Sequence, residues 1–360
     1  MENVKNRKGQ GEIYCMRSSH GRPTPVNETR FDILVESLLK HNLHIETPPA
    51  CDCPTETPPA YDVPGQAEER PLVDTKYGKL RGVNVLVKET PRTADAFYGI
   101  PFAKPPVGSL RFAYPEAPEP WESVRDASQY APMCLQEMGM MEGLTHYYKS
   151  TFKMPPPSED CLYLNIYTPN DREKESKLPV MVFIHGGGLI IGGAYYDGSA
   201  LSVYENVVVV SIQYRLGILG FFSTGDDKLP GNLGFIDQVA ALHWVQENIA
   251  DFGGDQHSVT IFGESAGGVS VSALVLSPLA KGLFHKAISE SGFVTMSSLV
   301  VSKPEDLTIY QDLVAGLFGC SVSSVVECLK LKSEEDILSV AAKMVRHIPG
   351  CHFGYRRKIC

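Results

Sequence analysis

The sequence has little of what a membrane-spanning or nucleic-acid-binding protein needs. Its longest apolar windows, such as residues 207–212, have strand length and fall far short of the roughly 20 residues that cross a bilayer. Basic residues are the minority, with 33 Lys and Arg against 42 Asp and Glu, and the formal charge of -9 disfavours binding to nucleic acid or anionic lipid. We therefore expect no membrane span and no nucleic-acid partner.

Cysteine is too sparse for a small scaffold built on disulfides, since nine cysteines in 360 residues allow only a few structural bridges. Cys51 and Cys53 are separated by one residue, and no His or Cys follows them at zinc-finger spacing. The sequence thus predicts no metal site and no cofactor. The first residues are polar and lead into no apolar run of signal-peptide length, so the sequence as written predicts a cytoplasmic chain.

Composition changes near residue 70. Residues 1–70 are rich in Pro, Glu and Thr and contain T-P-P-A twice, which predicts a disordered extension because such a segment has too little apolar surface to bury. One exception is 31–43, whose apolar spacing predicts either a marginal helix or a docking helix for a partner. Residues 71–346 have the patterning of a folded domain.

Strand and helix patterns alternate within that domain. Residues 180–184 and 207–212 are continuous apolar runs, typical of parallel strands buried on both faces, whereas 160–167 alternates and predicts a half-buried strand. Residues 237–252 and 266–276 have helical patterns. The order predicts an α/β fold with a mainly parallel central sheet and flanking helices.

A G-x-S-x-G sequence surrounds Ser265, between Gly263 and Gly267. A strand ending at residue 262 must turn sharply into a helix there, which would strain the backbone of Ser265 and project its hydroxyl above the sheet. The helix N-terminus would direct free amides at a developing oxyanion. We predict that Ser265 is a catalytic nucleophile; the alternative is an inert serine in a structural turn.

Three glycines follow His185 directly after the apolar strand 180–184, the position of the oxyanion loop in lipases and esterases. Glycine amides can approach a substrate carbonyl because no side chain interferes. The predicted oxyanion donors are the N–H groups of Gly187, Gly188 and Ala266. A flexible glycine turn is the alternative interpretation.

Several separate strings resemble type B carboxylesterases, of the carboxylesterase and cholinesterase family, and most closely the vertebrate liver type. They cover about residues 71–345, whereas residues 347–360 form a tail that does not resemble the family. The resemblance implies an α/β-hydrolase that cleaves small-molecule carboxylic esters through an acyl-enzyme on Ser265. The strings are YGIPFAKPP (98–106), SEDCLYLN (158–165), HGGG (185–188), QYRLG (213–217), GNLG (231–234) with DQ (237–238), and FGESAGG (262–268).

The same resemblance implies two disulfides, Cys134 with Cys161 and Cys320 with Cys328; free buried thiols are the alternative. Cholinesterases place a choline-binding tryptophan in the first disulfide loop, but residues 134–161 contain none, which disfavours a quaternary-ammonium site. Family members are secreted or reside in the endoplasmic reticulum lumen, in contrast to the cytoplasmic prediction above. The oligomeric state stays open.

The resemblance also implies that the triad acid and histidine follow beyond Cys360, with the C-terminal strands of the fold missing. We therefore expect an impaired esterase and an unpaired sheet edge near 285–289. His285, His347 and His352 are disfavoured as substitute bases. The rival interpretations are a non-catalytic adhesion relative of neuroligin type, which would lack the nucleophile, an inactive truncated isoform, and a lipase.

Overall fold

The computed structural model describes most of the folded domain and one short segment before it. The described residues are 13–16, 70–139, 141–143, 152–173, 175–295 and 304–347. The strands are β1 (Ile13–Met16), β2 (Leu72–Thr75), β3 (Gly78–Arg81), β4 (Val83–Leu86), β5 (Thr93–Pro101), β6 (Arg125–Asp126), β7 (Met133–Cys134), β8 (Pro157–Ser158), β9 (Tyr163–Pro169), β10 (Leu178–Ile184), β11 (Val208–Ile212), β12 (Gly254–Glu264) and β13 (Lys286–Glu290). The helices are α1 (Ser199–Glu205), α2 (Gly217–Phe221), α3 (Leu233–Asn248), α4 (Ala266–Leu276), α5 (Pro304–Phe318), α6 (Val325–Lys330) and α7 (Glu334–His347).

An eight-stranded sheet forms the centre, in the order β1-β13-β12-β10-β11-β9-β5-β4. The pairs from β1 to β11 are parallel, and the pairs β11 with β9, β9 with β5 and β5 with β4 are antiparallel. The sheet is mixed, and with four parallel pairs against three antiparallel ones it is mainly parallel, as predicted. In its antiparallel part only β4 and β5 follow each other through a short connection, which needs no crossover helix.

The two continuous apolar runs are buried on both faces, as predicted. Val180, Val182 and Ile184 of β10 belong to the main core cluster, together with Leu242 and Val245 of α3. The intervening Met181 packs on the opposite face with Val209 and Phe262. Because side chains alternate along a strand, a strand with helices on both sides needs apolar residues at every position.

The prediction of a half-buried strand at 160–167 is wrong. Along β9 only Tyr163 is partly exposed, and both Asn165 and Tyr167 lie in the interior. The Asn165 side-chain oxygen accepts a hydrogen bond from Gly99 N–H at 2.9 Å, and the Tyr167 and Tyr130 hydroxyls are 2.9 Å apart. The polar residues that suggested a solvent face are instead hydrogen-bonded inside, where such partners make polar burial tolerable.

The expected unpaired edge at 285–289 is also wrong, since β1 lies alongside β13. The two strands are parallel, with Ile13 opposite Ala287 and Met16 opposite Glu290. This strand falls within the extension that composition predicts to be disordered. The helical pattern at 31–43 lies outside the described residues. The backbone of β13 is therefore paired on both sides, and β1 takes the place of β13 as the edge strand.

A second hydrophobic cluster joins α5, α6 and α7 to α2 through Val314, Val326, Ile337 and Leu219. No single helix in the described ranges combines the length and apolar content needed to cross a membrane, although the bent pair 307–318 and 322–330 does so by composition. The buried side chains of that pair, such as Val314 and Leu329, belong to this cluster, whereas Ile309 and Val322 are exposed.

Candidate active site

The chain turns sharply between β12 and α4, and Ser265 is the only residue between these elements. Its backbone has φ 57° and ψ -121°, a conformation that side-chain-bearing residues rarely adopt. Two hydrogen bonds hold it: Ser265 N–H donates to Glu290 O at 2.8 Å, and Val269 N–H donates to Ser265 O at 3.0 Å. The strained corner that the G-x-S-x-G sequence predicts is therefore present.

The flanking glycines are needed because the corner lies against the end of β10. A methyl group on Gly267 would overlap the Ile184 carbonyl oxygen, and one on Gly263 would lie 2.7 Å from the Gly267 carbonyl carbon. No side chain fits at either position without moving backbone. This close contact fixes the start of α4 beside the residues that follow β10, which are His185 and the glycine loop.

The Ser265 side chain is partly exposed, and its hydroxyl forms no hydrogen bond with any residue in the described ranges. A serine used only for structure at a tight turn would normally have its hydroxyl bonded to nearby backbone. Ser270, one helical turn further along α4, illustrates this: its hydroxyl donates to Ala266 O at 3.0 Å and is fully buried. The Ser265 hydroxyl is thus available to a ligand.

The glycine loop passes next to Ser265. A methyl group placed on Gly186 would lie 3.3 Å from Ser265 Cβ, so the two residues are in contact distance. Gly187 and Gly188 follow with φ 103° and 63°, left-handed values that glycine adopts without steric penalty. The structure therefore brings together the two motifs that the sequence separates by about 80 residues.

Backbone amides at this junction have no acceptor. In the part of the chain that the structure describes, the N–H groups of Gly187, Gly188 and Ala266 donate no hydrogen bond. Gly187 and Gly188 are half-buried and Ala266 is buried. Unpaired donors beside a strained serine are the arrangement expected where an anionic ligand atom binds. Ala266 is also the first residue of α4, where the helix dipole adds a partial positive charge.

The far end of the glycine loop is held by Gln136, a residue that sequence reasoning missed. Its side-chain nitrogen donates to Gly192 O at 2.6 Å and to Cys134 O at 2.9 Å, and its side-chain oxygen accepts from Gly192 N–H at 2.8 Å. Gln136 is buried, two residues beyond a disulfide cysteine. The only available sequence signal was that adjacency.

Two carboxylates flank the corner. Glu264 and Glu290 are register partners on β12 and β13, at the ends next to Ser265. Burial raises the pKa of the Glu264 carboxyl above its ordinary value. Burial, and secondarily the negative charge of Glu264, raises the pKa of Glu290. Each carboxyl therefore holds its proton more tightly than the same group does in water.

His285, the candidate histidine whose side chain the structure describes, does not reach Ser265. His285 precedes β13, so it lies at the opposite end of a five-residue strand, about 16 Å away at 3.3 Å per residue. Its Nδ1 accepts a hydrogen bond from Val259 N–H at 3.2 Å, which is a packing role. His347 ends α7 and His352 lies outside the described residues. Among the described residues no group of His, Cys, Asp and Glu has the arrangement of a metal site.

The sequence of this chain is similar to a known protein family. Residues 69–356 match the model of the carboxylesterase family. The chain belongs to the carboxylesterase family. It is 56% identical over 284 residues to a medium-chain fatty acyl-CoA hydrolase precursor of Anas platyrhynchos, and the match covers 78% of this chain and 51% of that protein. It is 54% identical over 286 residues to carboxylesterase 1D of Rattus norvegicus, covering 78% of this chain and 50% of that one.

Solved structures agree with the family. A PNB esterase structure superposes with a TM-score of 0.66 at 40% identity, covering 77% of this chain and 54% of that chain. The α/β-hydrolase fold is thereby confirmed. This carboxylesterase chain spans about half the length of the relatives it matches. Its disulfides join Cys134 to Cys161 and Cys320 to Cys328, the pairing that the resemblance implies.

Proposed function

We propose that this carboxylesterase-family chain provides the nucleophile and oxyanion hole for hydrolysis of small-molecule carboxylic esters. Ser265 Oγ attacks the ester carbonyl carbon and gives up its proton, and the bond to the alcohol oxygen then breaks. The alcohol leaves with a proton, an acyl group stays on Ser265, and water releases the acid. The observation that carries this proposal is a strained serine with an unbonded hydroxyl beside unpaired amides.

The amides of Gly187, Gly188 and Ala266 serve as oxyanion donors. Negative charge develops on the carbonyl oxygen when the tetrahedral intermediate forms, and donors already in place stabilise it without reorganising. Removal of one such donor typically lowers turnover by about 10² to 10³. The glycine loop is therefore assigned to catalysis and not only to chain reversal.

A serine hydroxyl also needs a base to accept its proton. No described residue forms a hydrogen bond with Ser265 Oγ, and His185 and His285 each have another hydrogen-bond partner. We propose that the described residues alone turn esters over slowly. In a triad enzyme, loss of the base lowers turnover by about 10⁶, while oxyanion donors and binding retain about 10³ to 10⁴ over water.

The test is covalent labelling of the purified chain with a fluorophosphonate probe, followed over time and mapped by mass spectrometry. The expected result is slow labelling at Ser265 that Ser265→Ala abolishes. Ser272→Ala is the matched control, because Ser272 lies on the same helix with a partly exposed side chain whose hydroxyl accepts from Val294 N–H at 3.2 Å. That variant should label like the unmodified chain.

Two results would contradict the proposal in different ways. Labelling at another residue, or labelling that survives Ser265→Ala, would remove Ser265 as the nucleophile. Fast labelling together with rapid turnover of a chromogenic ester would keep the nucleophile and overturn the proposed impairment. A parallel assay with short-chain and medium-chain acyl esters reports the substrate class.

A further inference from the structure

His185 is the most buried titratable group next to the glycine loop, with 1% of its surface exposed. Its ring stacks on Tyr214, with centroids 4.3 Å apart and planes 16° from parallel. Tyr214 also donates its hydroxyl to His185 O at 2.7 Å, so one residue fixes both the ring and the backbone of the histidine. Such a ring has no freedom to reorient.

The ring is neutral and carries its proton on Nδ1. Burial lowers the pKa of His185 to about 4, so the imidazole is uncharged near neutral pH. Nδ1 lies 2.8 Å from Gly186 O, and a carbonyl oxygen can only accept, so Nδ1 must be the donor. Nε2 then has a free lone pair, and within the described ranges it has no hydrogen-bond partner. The buried ring thus makes one hydrogen bond, through Nδ1, and its Nε2 is left unpaired.

The hydrogen bond from His185 Nδ1–H to Gly186 O orients the peptide that carries a predicted oxyanion donor, Gly187 N–H. Gly186 C=O and Gly187 N–H belong to the same planar trans peptide, in which the two groups point in opposite directions. Gly186 O is held on the His185 side, close to Gly192, where a methyl group would lie 2.7 Å from it. Gly187 N–H therefore points to the other side, where no described residue accepts from it. A flipped peptide would present a carbonyl oxygen to the developing anion.

We infer that His185 is a positioning residue for the oxyanion hole: its Nδ1–H fixes the Gly186–Gly187 peptide so that Gly187 N–H faces the Ser265 ligand. The inference rests on the proposed ester hydrolysis, because it assigns His185 a role in the same site. It gives His185 no contact with substrate and no part in proton transfer. It also explains why a ring that is neutral and buried carries an unpaired Nε2.

Three variants separate the hydrogen bond from the ring. In His185→Asn the side-chain amide nitrogen takes the place of Nδ1, so the donor is kept and the stacking on Tyr214 is lost. In His185→Gln the amide nitrogen takes the place of Nε2, so the donor is displaced. In His185→Phe the ring and its stacking remain and the donor is absent. Thermal unfolding of each variant reports its structural cost.

The functional readout is fluorophosphonate labelling of Ser265, resolved into the binding constant of the probe and the rate constant of the covalent step. We expect the covalent step to stay within about threefold for His185→Asn and to fall about 10- to 100-fold for His185→Gln and His185→Phe, with probe binding little changed, because an oxyanion donor acts on the reacting state. Equal covalent rates for the three variants, or rates that follow thermal stability alone, would overturn the inference.

A measurement on the unmodified chain needs neither activity nor a variant. Nitrogen-15 NMR of histidine-labelled protein distinguishes the two neutral tautomers and the imidazolium. The inference requires a neutral Nδ1–H ring for His185 near pH 7, and an Nε2–H ring or an imidazolium would overturn it. If the unmodified chain is not labelled at Ser265, the proposed function fails, whereas the tautomer still decides whether His185 makes this bond.

Discussion

Polar groups are paired in the scaffold of this molecule and unpaired at its candidate site. In the scaffold, the Arg215 guanidinium and backbone N–H bind Asp237 through three hydrogen bonds of 2.7 to 3.0 Å, with both side chains buried. Arg111 binds Glu159 and donates to Leu329 O at 2.8 Å. At the candidate site, by contrast, a hydroxyl and three amides are unpaired. The donors beside Ser265 thus differ from the buried ion pairs, because they have no partner among the described residues and are available to a ligand.

The largest expected effect comes from breaking the scaffold. Asp237→Ala leaves the buried Arg215 charge without its partner and should lower the free energy of unfolding by about 3 to 5 kcal/mol. The matched control is Asp171→Ala, which removes an ion pair with Arg92. The Asp171 side chain is 58% exposed and the Arg92 side chain 35% exposed. That exposed pair should contribute about 1 kcal/mol or less. Urea unfolding measures both, and equal losses would remove the contrast between scaffold and surface.

An intermediate effect is expected within the glycine loop. A methyl group on Gly187, where φ is 103°, would overlap the Ile191 carbonyl oxygen, whereas one on Gly188 has no neighbour nearer than 3.7 Å. Gly187→Ala should therefore displace the loop and slow Ser265 labelling about 100-fold, the size of a lost oxyanion donor. Gly188→Ala should slow it less, by about tenfold at most. If Gly188→Ala slowed labelling more than Gly187→Ala, the backbone conformation at Gly187 would not be what the loop contributes.

The smallest effect concerns the carboxylates. A raised pKa means that the folded state holds the proton of Glu290 more tightly than the unfolded state does. The resulting stabilisation is present below the ordinary value of 4.5 and is lost as the pH rises through the folded-state pKa. Glu290→Gln should therefore reduce the fall in melting temperature between pH 4.5 and about pH 7. An unchanged pH profile would show that Glu290 ionises without penalty.

Local patterns predicted the part of the site that depends on neighbouring residues. The helix at 266–276 has the predicted bounds, and the corner at Ser265 follows from a strand and a helix separated by one residue. Glycines that make room for a turn are visible in sequence because no other residue type substitutes for them.

Contacts between distant residues could not be predicted in the same way. The alternation in β9 indicated a solvent face, but Asn165 and Tyr167 find hydrogen-bond partners inside. Gln136 reaches Gly192 across 56 positions, and no local pattern marks that pair. The pairing of β1 with β13 joins segments more than 270 residues apart. Composition and periodicity report the local preference of a segment and not its partner.

The central claim is that the unpaired amides of Gly187, Gly188 and Ala266 bind the oxyanion that forms on the ester carbonyl when Ser265 attacks it. The most direct measurement is a crystal structure of the chain after reaction with a fluorophosphonate, since the phosphoryl oxygen of the adduct stands in for that anion. The account predicts phosphorus bonded to Ser265 Oγ and the phosphoryl oxygen about 2.7 to 3.1 Å from those three nitrogens. An adduct whose phosphoryl oxygen faces solvent or binds other donors would contradict it.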